Sequence, residues 1–452
     1  NVTVTGSAGG PYTITFGGTQ SGVNVSTLTW RPADTDPLAN SDFVGSLLYE
    51  YDAAGQMTDA FYQDGSLEGI AGNFFTYDGL GRVTNETMTY GGYSDTITLD
   101  QQYDAGGNRT QALWSFGTTE QLTRSSDEQA DYWHRAEFSY NKLGQFLGIS
   151  RFVGDDTTPI GVADTDFTYD DLNRLVSIEH FTGGTTWAGY EYTYDDASRI
   201  ASIDSYLDGL SEYTHDDTNQ LTSADHTGST DETYNYDANG NRTMSGYSTS
   251  DNNQLTSDGV YNYTYDAEGN RLARTNISSG YVTEYAWDHR NRLTKVTEKD
   301  DMDNVLSTVE HSYDAFNRWI RRSADADGPG GSDPVETIFA YDGNQVSFEF
   351  TDNDGVDLDG DDMSQVYTWG PMVDQLLVDF TDGDVPQWAL TDHLGTVRDF
   401  VEYDAGMTDT VDTGHRIFDS FGNITSQTGI SSLIGFTGRP FAPFLARMGG
   451  AR

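Results

Sequence analysis

The sequence predicts an all-β protein built from serial β-hairpins. Three observations lead to this fold class: a tyrosine–aspartate phrase recurs along most of the 452-residue chain, aromatic residues alternate with small polar residues before each phrase, and long helical periodicities are absent. Successive copies start about 21 to 37 residues apart, a spacing typical of repeat architectures. The repeats therefore favour one continuous sheet over several separate domains.

Each copy of the phrase fits one β-hairpin with a tight corner. Clear copies begin at Tyr77, Tyr103, Tyr169, Tyr194, Tyr236, Tyr265, Trp287 and Tyr313, and weaker ones at Tyr51, Tyr140, His215 and Tyr341. The Asp can start a turn through its own side chain, and the following Gly or Asn tolerates a positive φ. Arginine then opens the return strand. We expect an Asp–Arg pair at each corner and Arg side chains over the rings, which is a structural role.

The distance from Tyr to Arg is five residues in some copies and six in others. The longer form carries Gly-Asn before Arg, as at 265–271, which suggests a second loop length with a β-bulge. Strand alternation places Tyr192, Tyr194, Tyr263 and Tyr265 in cross-strand ladders, and the corner tips should face solvent.

Changes in composition and in the density of repeat phrases divide the chain into five stretches. Residues 1–30 contain three short alternating strands and are interpreted as a fragment of an N-terminal β module, entered part-way through a longer protein. A linker follows at 31–44, the repeat body at 45–350 and an acidic loop at 351–363. The remainder, 364–452, has fewer repeat phrases and several stretches of its own.

The tyrosine–aspartate copies resemble the YD repeats of the RHS family. Residues 390–398 (Leu-Thr-Asp-His-Leu-Gly-Thr-Val-Arg) resemble the signature that opens the RHS repeat-associated core domain, and 418–423 and 435–441 continue the match in order. Bacterial polymorphic toxins, Tc-toxin cocoon components and teneurin shells belong to this family. The resemblance implies that the hairpins join into a spiralling sheet or partial β-shell, with a truncated core-associated segment at 364–452.

The resemblance also implies a function. It indicates a non-enzymatic scaffold in a secreted or cell-surface protein, which encloses or delivers a C-terminal polypeptide; its partners would be that cargo or other shell-forming chains. After 435–441 the sequence departs from the family pattern, and the aspartate motif of self-cleaving members is missing. No self-cleaving residue is therefore implied here, and a structural or adhesive surface protein that contacts a glycan or another protein stays open as the alternative.

Composition excludes several classes of partner and site. The chain has 72 acidic and 24 basic residues, a net charge of −48, which argues against nucleic acid. No stretch reaches the apolar length of a membrane span. The absence of cysteine excludes disulfides and thiolate metal sites.

The acidic loop is the candidate metal site. Its alternate carboxylates are separated by Gly and small residues, which lets one loop direct several oxygens at Ca²⁺. The predicted ligands are Asp352, Asp354, Asp357, Asp359 and Asp361. A solvated acidic insertion between hairpins is the competing interpretation. A shorter second candidate for calcium consists of Asp325, Asp327 and Asp333.

No catalytic residue is predicted. His393 follows Asp392 in the core signature, but the sequence shows no accompanying nucleophile and orienting group, so a structural histidine in a turn is expected.

Overall fold

The structure, a computed structural model, describes residues 2–5, 13–16, 46–63, 71–90, 96–103, 105, 109–116, 120–122, 134–154, 159–351, 362–381 and 385–440. Two short strands, β1 (Val2–Thr5) and β2 (Thr13–Phe16), pair antiparallel. The third strand expected in the N-terminal module, at 24–28, lies outside the described residues.

A seven-stranded sheet contains β3 (Ser46–Tyr51), β4 (Met57–Gln63), β5 (Ala71–Tyr77), β6 (Val83–Thr89), β7 (Thr96–Tyr103), β8 (Arg109–Phe116) and β9 (Glu120–Leu122). A nine-stranded sheet contains β10 (His134–Tyr140), β11 (Phe146–Val153), β12 (Ile160–Tyr169), β13 (Leu175–Thr182), β14 (Thr185–Tyr194), β15 (Ile200–Ser205), β16 (Gly209–His215), β17 (Leu221–His226) and β18 (Glu232–Thr233).

A sixteen-stranded sheet contains β19 (Tyr247–Thr249), β20 (Leu255–Asp258), β21 (Tyr261–Tyr265), β22 (Arg271–Asn276), β23 (Val282–Trp287), β24 (Leu293–Lys299), β25 (Val305–Tyr313), β26 (Trp319–Asp325), β27 (Val335–Asp342), β28 (Gln345–Thr351), β29 (Met363–Trp369), β30 (Leu376–Phe380), β31 (Gln387–Thr391), β32 (Val397–Asp404), β33 (Asp409–Phe418) and β34 (Ile424–Thr428). A single 3-10 turn at Phe436–Gly438 follows the last strand.

Strand order equals sequence order in every sheet, so each strand pairs with its neighbours along the chain. This meander confirms the predicted all-β fold of serial hairpins. The single continuous sheet that the repeats favoured is not formed, because the described strands divide into four sheets and the hydrogen-bonded ladder is interrupted, for example, between β18 and β19. Two compact units are present: one comprises Asn1–Thr123 with Tyr313–Arg318, and the other comprises Arg124–Ser312 with Trp319–Arg452. In the first, Arg318 Nε donates to Asp314 Oδ2 at 2.6 Å and Arg318 Nη2 lies 3.4 Å from Glu86.

The corners share one backbone geometry, and the prediction of two loop lengths is wrong. Tyr169 pairs with Leu175 in a short-form copy and Tyr265 pairs with Arg271 in a long-form copy, so both corners span six positions. A register shift lies beside the tyrosine in both. The forms differ only in residue type, because Asn270 takes the corner position that Arg occupies elsewhere and donates to Asp266 at 2.9 Å.

The corner aspartate holds the turn through both of its oxygens. Asp170 Oδ1 accepts the backbone N–H groups of Leu172 and Arg174 at 2.9 Å each, and Oδ2 accepts Arg174 Nε at 2.7 Å. Asn173 adopts φ 63° at the tip, which explains the Gly or Asn found there. The backbone bond from Arg174, reinforced by its side chain, lowers the pKa of Asp170. The predicted Asp–Arg pair is confirmed here and at Asp78, Asp195, Asp288 and Asp314.

The same corner also forms where the sequence shows no aromatic phrase. Residues 250–254 and 300–304 close with the same backbone bonds, although Thr249 and Lys299 precede them. Sequence reasoning missed both copies because it required a ring before the aspartate.

Neighbouring hairpins are linked by an aromatic donor, which we call the repeat-to-repeat bond. Tyr194 Oη donates to the Leu175 carbonyl at 2.5 Å, and Tyr265 Oη donates to the Leu255 carbonyl at 2.7 Å. The bond recurs at Tyr77, Tyr103, Tyr236 and Trp287. The expected stacking is confirmed as well, since the Arg174 guanidinium lies 4.5 Å from the centre of the Tyr194 ring. These copies are thus fixed to the hairpin before them by a hydrogen bond and, where an arginine stacks on the ring, by a cation–π contact.

Candidate functional site at the core signatures

The three signature stretches of 364–440, which we call the core segment, converge at one place. The corner at 392–396 joins β31 to β32 and repeats the hairpin geometry, with Asp392 Oδ1 accepting the Leu394 and Thr396 N–H groups at 2.9 and 3.1 Å. The turn at 435–439 lies against this corner. Val397 N donates to the Gly435 carbonyl and Thr437 N donates to Thr396 Oγ1, both at 3.1 Å.

Two glycines allow this close packing. Gly438 has φ 68°, and a Cβ there would overlap the carbonyl oxygen of Asp374. A Cβ on Gly422, in the 418–423 stretch, would lie 2.6 Å from the Phe436 ring. These two glycines are therefore required by close approach as well as by their positive φ.

The core segment packs on the nine-stranded sheet through a partly buried group of polar and charged side chains, which we call the ionic cluster. Its members are Tyr190 and Asp208 on the sheet side, and Arg398, Asp399 and His415 on the core segment. His415 Nε2 lies 2.9 Å from Asp208 Oδ1, and His415 Nδ1 lies 2.5 Å from Asp399 Oδ1. Arg398 Nη2 donates to Asp208 Oδ2 at 2.6 Å, and Tyr190 Oη donates to Asp399 at 3.4 Å.

These contacts favour a charged imidazole. Hydrogen bonds to Asp208 and then to Asp399 raise the pKa of His415 to about 9. Burial opposes ionisation of Asp208, but the His415 bond and the Arg398 charge outweigh it and lower the pKa of Asp208. Burial dominates at Asp399 and raises its pKa. With a carboxylate on each nitrogen, His415 has no nitrogen available to accept a proton from a nucleophile, so the cluster suits holding rather than acid–base chemistry.

A second contact between the same elements is a directional chain of hydrogen bonds. Arg151 Nη1 donates to Thr165 Oγ1 at 2.6 Å, Thr165 Oγ1 lies 2.8 Å from His180 Nδ1, and His180 Nε2 lies 3.0 Å from the Thr391 carbonyl. Because the Thr391 carbonyl can only accept, Nε2 carries the ring proton and donates it; Nδ1 of the neutral ring then accepts from Thr165 Oγ1, which accepts from Arg151. Burial, aided by the Arg151 charge, lowers the pKa of His180 to about 3, which fits the neutral ring that this chain requires.

A third contact fixes the corner at 419–423. Glu232 of β18 accepts Ser420 N and Ser420 Oγ, both at 3.1 Å. The Arg242 guanidinium lies 3.7 Å from the centre of the Phe421 ring and 4.9 Å from that of Tyr234. These three contacts, together with hydrogen bonds such as that from Thr410 Oγ1 to the Val162 carbonyl at 2.7 Å, set the position of the core segment on the sheet.

Comparison with known proteins agrees with the fold of serial hairpins. A family model described as "Teneurin YD-shell" matches residues 133–329. The matched stretch, which is less than half of the chain, is therefore similar to a YD-shell. No curated protein sequence matches it significantly.

Two solved structures resemble the YD-shell in fold. The crystal structure of TcdB2-TccC3-TEV has a TM-score of 0.53 at 13% identity, over 87% of this chain and 21% of that one. A Photorhabdus luminescens Tc holotoxin pore has a TM-score of 0.51 at 14% identity, over 88% of this chain and 21% of that one. The chain thus spans about a fifth of the length of those chains. No helix among the described residues is long and apolar enough to span a membrane.

The predicted calcium ligands, Asp352 to Asp361, lie outside the described residues. In the second candidate, Asp325 Oδ1 accepts Gly328 N at 2.8 Å and Asp327 Oδ2 accepts Ser332 N at 3.1 Å, so these carboxylates stabilise their own loop. Within the described ranges no group of three or more His, Cys, Asp or Glu side chains has a geometry that could hold a metal.

His393 lies in the 392–396 corner, and its ring packs edge-on against Tyr192, with centroids 4.9 Å apart. Its Nδ1 is buried without a hydrogen-bond partner among the described residues, and burial lowers the pKa of His393. The side chain therefore contributes packing on the sheet.

Sequence reasoning missed the ionic cluster. Arg398 closes a quoted signature, but Asp208 and His415 are 207 positions apart and belong to no motif. No local pattern signals such a pair. The sequence offers one clue to a special role of Asp208: Asp208-Gly209 forms a hairpin turn, but the repeat phrase does not precede it.

Proposed function

We propose that this chain is a non-enzymatic shell segment of a secreted or cell-surface protein, and that it encloses or delivers a C-terminal polypeptide. The observation that carries the proposal is the packing of the core segment on the nine-stranded sheet. The YD-shell family match and the fold shared with Tc-toxin structures support it.

The ion pairs between the core segment and the sheet suit a scaffold. Buried ion pairs contribute little net stability, because desolvation offsets the attraction, but breaking one side of a pair is strongly unfavourable. The ionic cluster therefore specifies position. A segment held in one register would direct the polypeptide that follows it along one path, as delivery from a shell requires.

The proposal is tested with an unstructured reporter peptide carrying protease sites, fused after residue 452. We expect the fused reporter to be cleaved much more slowly than the free peptide at equal protease activity. The variant Asp208→Asn, which weakens the packing of the core segment on the sheet, should restore fast cleavage, and its far-UV circular dichroism spectrum should still indicate β structure. Equal cleavage of fused and free reporter would contradict enclosure by this chain alone. Addition of other shell-forming chains from the same source then tests a jointly formed enclosure.

A structural or adhesive surface role is the second candidate, with a glycan or a protein as the contact. Exposed leucines at neighbouring corner tips favour it: Leu143 is 69% and Leu172 is 68% exposed, and Gln145 Nε2 joins their corners by donating to the Asn173 carbonyl at 3.2 Å. Glycan-array and cell-binding assays of the chain and of Leu143→Ser/Leu172→Ser test this role. Binding that the double variant abolishes would support adhesion, and absence of binding in both assays would oppose it.

A further inference from the structure

The ladder of paired strands is interrupted between β18 and β19, at residues 234–246, which we call the seam. The strands that border the seam are short: β18 has two residues and β19 has three, whereas β13 and β14 have eight and ten. Each paired position adds backbone hydrogen bonds and buried side chains. Short ladders therefore separate at a lower free energy than long ones.

The hairpin inside the seam has almost no paired sides. Its corner at 237–241 closes with the usual backbone bonds, but an isolated bridge between Tyr236 and Arg242 takes the place of paired strands. Across the gap to the next corner, Asn241 Nδ2 donates to Asn253 Oδ1 at 3.0 Å. This hydrogen bond is exposed and contributes little net stability, because water competes for both groups.

The corner at 419–423 of the core segment lies on the seam. The Phe421 ring contacts both sides of the short hairpin: the Arg242 guanidinium lies 3.7 Å from the ring centre, and the Tyr234 ring packs edge-on with centroids 4.9 Å apart. Glu232, which precedes the seam in β18, accepts two further hydrogen bonds from this corner. The core segment therefore supplies contacts at the place where the strand ladder is weakest.

We propose that the sheet opens locally at the seam and that the corner at 419–423 holds it closed. Opening separates β17 from the residues that follow it, while the longer strands before it stay paired. Undocking of the core segment and opening of the sheet are coupled, because both break the same contacts at Phe421 and Glu232. The proposal goes beyond the proposed function, since it concerns a motion of the sheet whether or not a polypeptide is enclosed.

The absence of cysteine allows the opening to be measured by thiol labelling. Ala224 of β17 pairs with Glu232 of β18 and is fully buried, so Ala224→Cys places a single thiol next to the seam. Ala188 of β14 is also buried, and Ala188→Cys is the matched control. A buried thiol reacts with Ellman's reagent under native conditions only when its surroundings open. Ala224→Cys should therefore react faster than Ala188→Cys by about tenfold or more.

The role of the core segment is tested by removing the ring at the corner. In the Ala224→Cys chain, Phe421→Ala should speed labelling by about a further tenfold, because the contacts with Arg242 and Tyr234 are lost. Leu394→Ala is the matched control, since Leu394 has the same position in the corner at 392–396 and is similarly exposed. Equal labelling of the two thiols, or equal effects of Phe421→Ala and Leu394→Ala, would overturn the proposal.

Hydrogen exchange of the unsubstituted chain keeps the proposal testable if a cysteine variant does not fold. The Tyr234 amide donates to the Thr222 carbonyl at 2.8 Å, so it is protected until the seam opens. It should exchange at least about tenfold faster than the amide of Ile178, which lies in the long ladder of β13. Equal protection of the two amides would show that the sheet opens as one unit and would overturn the proposal.

Discussion

Gly438 shows how one missing side chain positions a whole segment. Gly438→Ala should cost roughly 3 kcal/mol or more, because left-handed strain adds to overlap with the Asp374 carbonyl. The matched control is Gly183→Ala, where φ is 55° and nothing lies within 4 Å of the added carbon. It should cost roughly 1 to 2 kcal/mol from strain alone. Thermal and urea unfolding measure the difference, and equal losses would show that Gly438 is needed only for its φ.

Tyr265 tests the repeat-to-repeat bond separately from ring packing. Tyr265→Phe removes only the donor to the Leu255 carbonyl and should lower the free energy of unfolding by about 1 kcal/mol. Tyr265→Ala also removes the packed ring and should cost about 3 kcal/mol or more. Glu268→Ala, at the exposed corner tip, should be near neutral. Equal effects of Tyr265→Ala and Glu268→Ala in urea unfolding would refute the hairpin assignment.

His415 gives the core segment a dependence on pH whose sign follows from its shift. Its pKa is raised from 6.5 to about 9, so the stabilisation is complete below pH 6.5 and is lost as pH rises through 9. The loss should reach at most roughly 3 kcal/mol. Asp208, whose pKa is lowered, stabilises the fold above its unfolded pKa, and that contribution is lost in acid. Unfolding measured from pH 6 to 10 should show the decline in the parent and a flatter curve in His415→Gln; parallel curves would exclude His415 as the source.

Residue types in the repeats could be predicted from sequence because their partners are local. Asp170 bonds to residues two and four positions away, so spacing alone reveals the contact. Asp208 and His415 could not be paired in this way, because only the packing of the core segment on the sheet brings them together.

At the scale of the hairpin, the corner aspartate should matter more than its equally acidic neighbour. Asp170→Ala removes acceptors for two backbone N–H groups and the Arg174 side chain, whereas Asp171 is exposed and lies at the tip. Hydrogen exchange at Leu172 and Arg174 should speed up in Asp170→Ala and stay unchanged in Asp171→Ala. Unchanged exchange in both variants would mean that the backbone bonds alone hold the corner.

The loop-length error shows the limit of sequence reasoning about elements. The number of residues from Tyr to Arg suggested two loop lengths. The strand pairing shows that both corners have the same number of positions, because Asn270 occupies the corner position that arginine occupies in other copies. An asparagine amide and a guanidinium can both donate to the same aspartate oxygen, so different residue types close one backbone. The presence of strands could be predicted from the alternation of aromatic and polar residues. The equivalence of the two corner types could be recognised only from the strand pairing in the structure.

For the whole molecule, calcium remains a prediction that rests on Asp352, Asp354, Asp357, Asp359 and Asp361. If they coordinate the ion, stability should rise with free calcium by mass action, by about 2.7 kcal/mol at a hundredfold excess over the dissociation constant. Thermal unfolding in calcium, in sodium at equal ionic strength and in chelator measures this effect. Three coincident curves would identify the loop as solvated acid, since nonspecific screening depends on ionic strength alone.

The direction of the repeat-to-repeat bond has a consequence for synthesis on the ribosome. Tyr194 donates to a carbonyl 19 residues earlier, so each emerging repeat finds its acceptor already made and in place. The nascent sheet can grow one hairpin at a time, with a single unfinished edge next to the exit tunnel. The core segment, which emerges after the repeats, must reach back about 200 positions to Asp208. The core segment can therefore dock only after the preceding repeats have been translated.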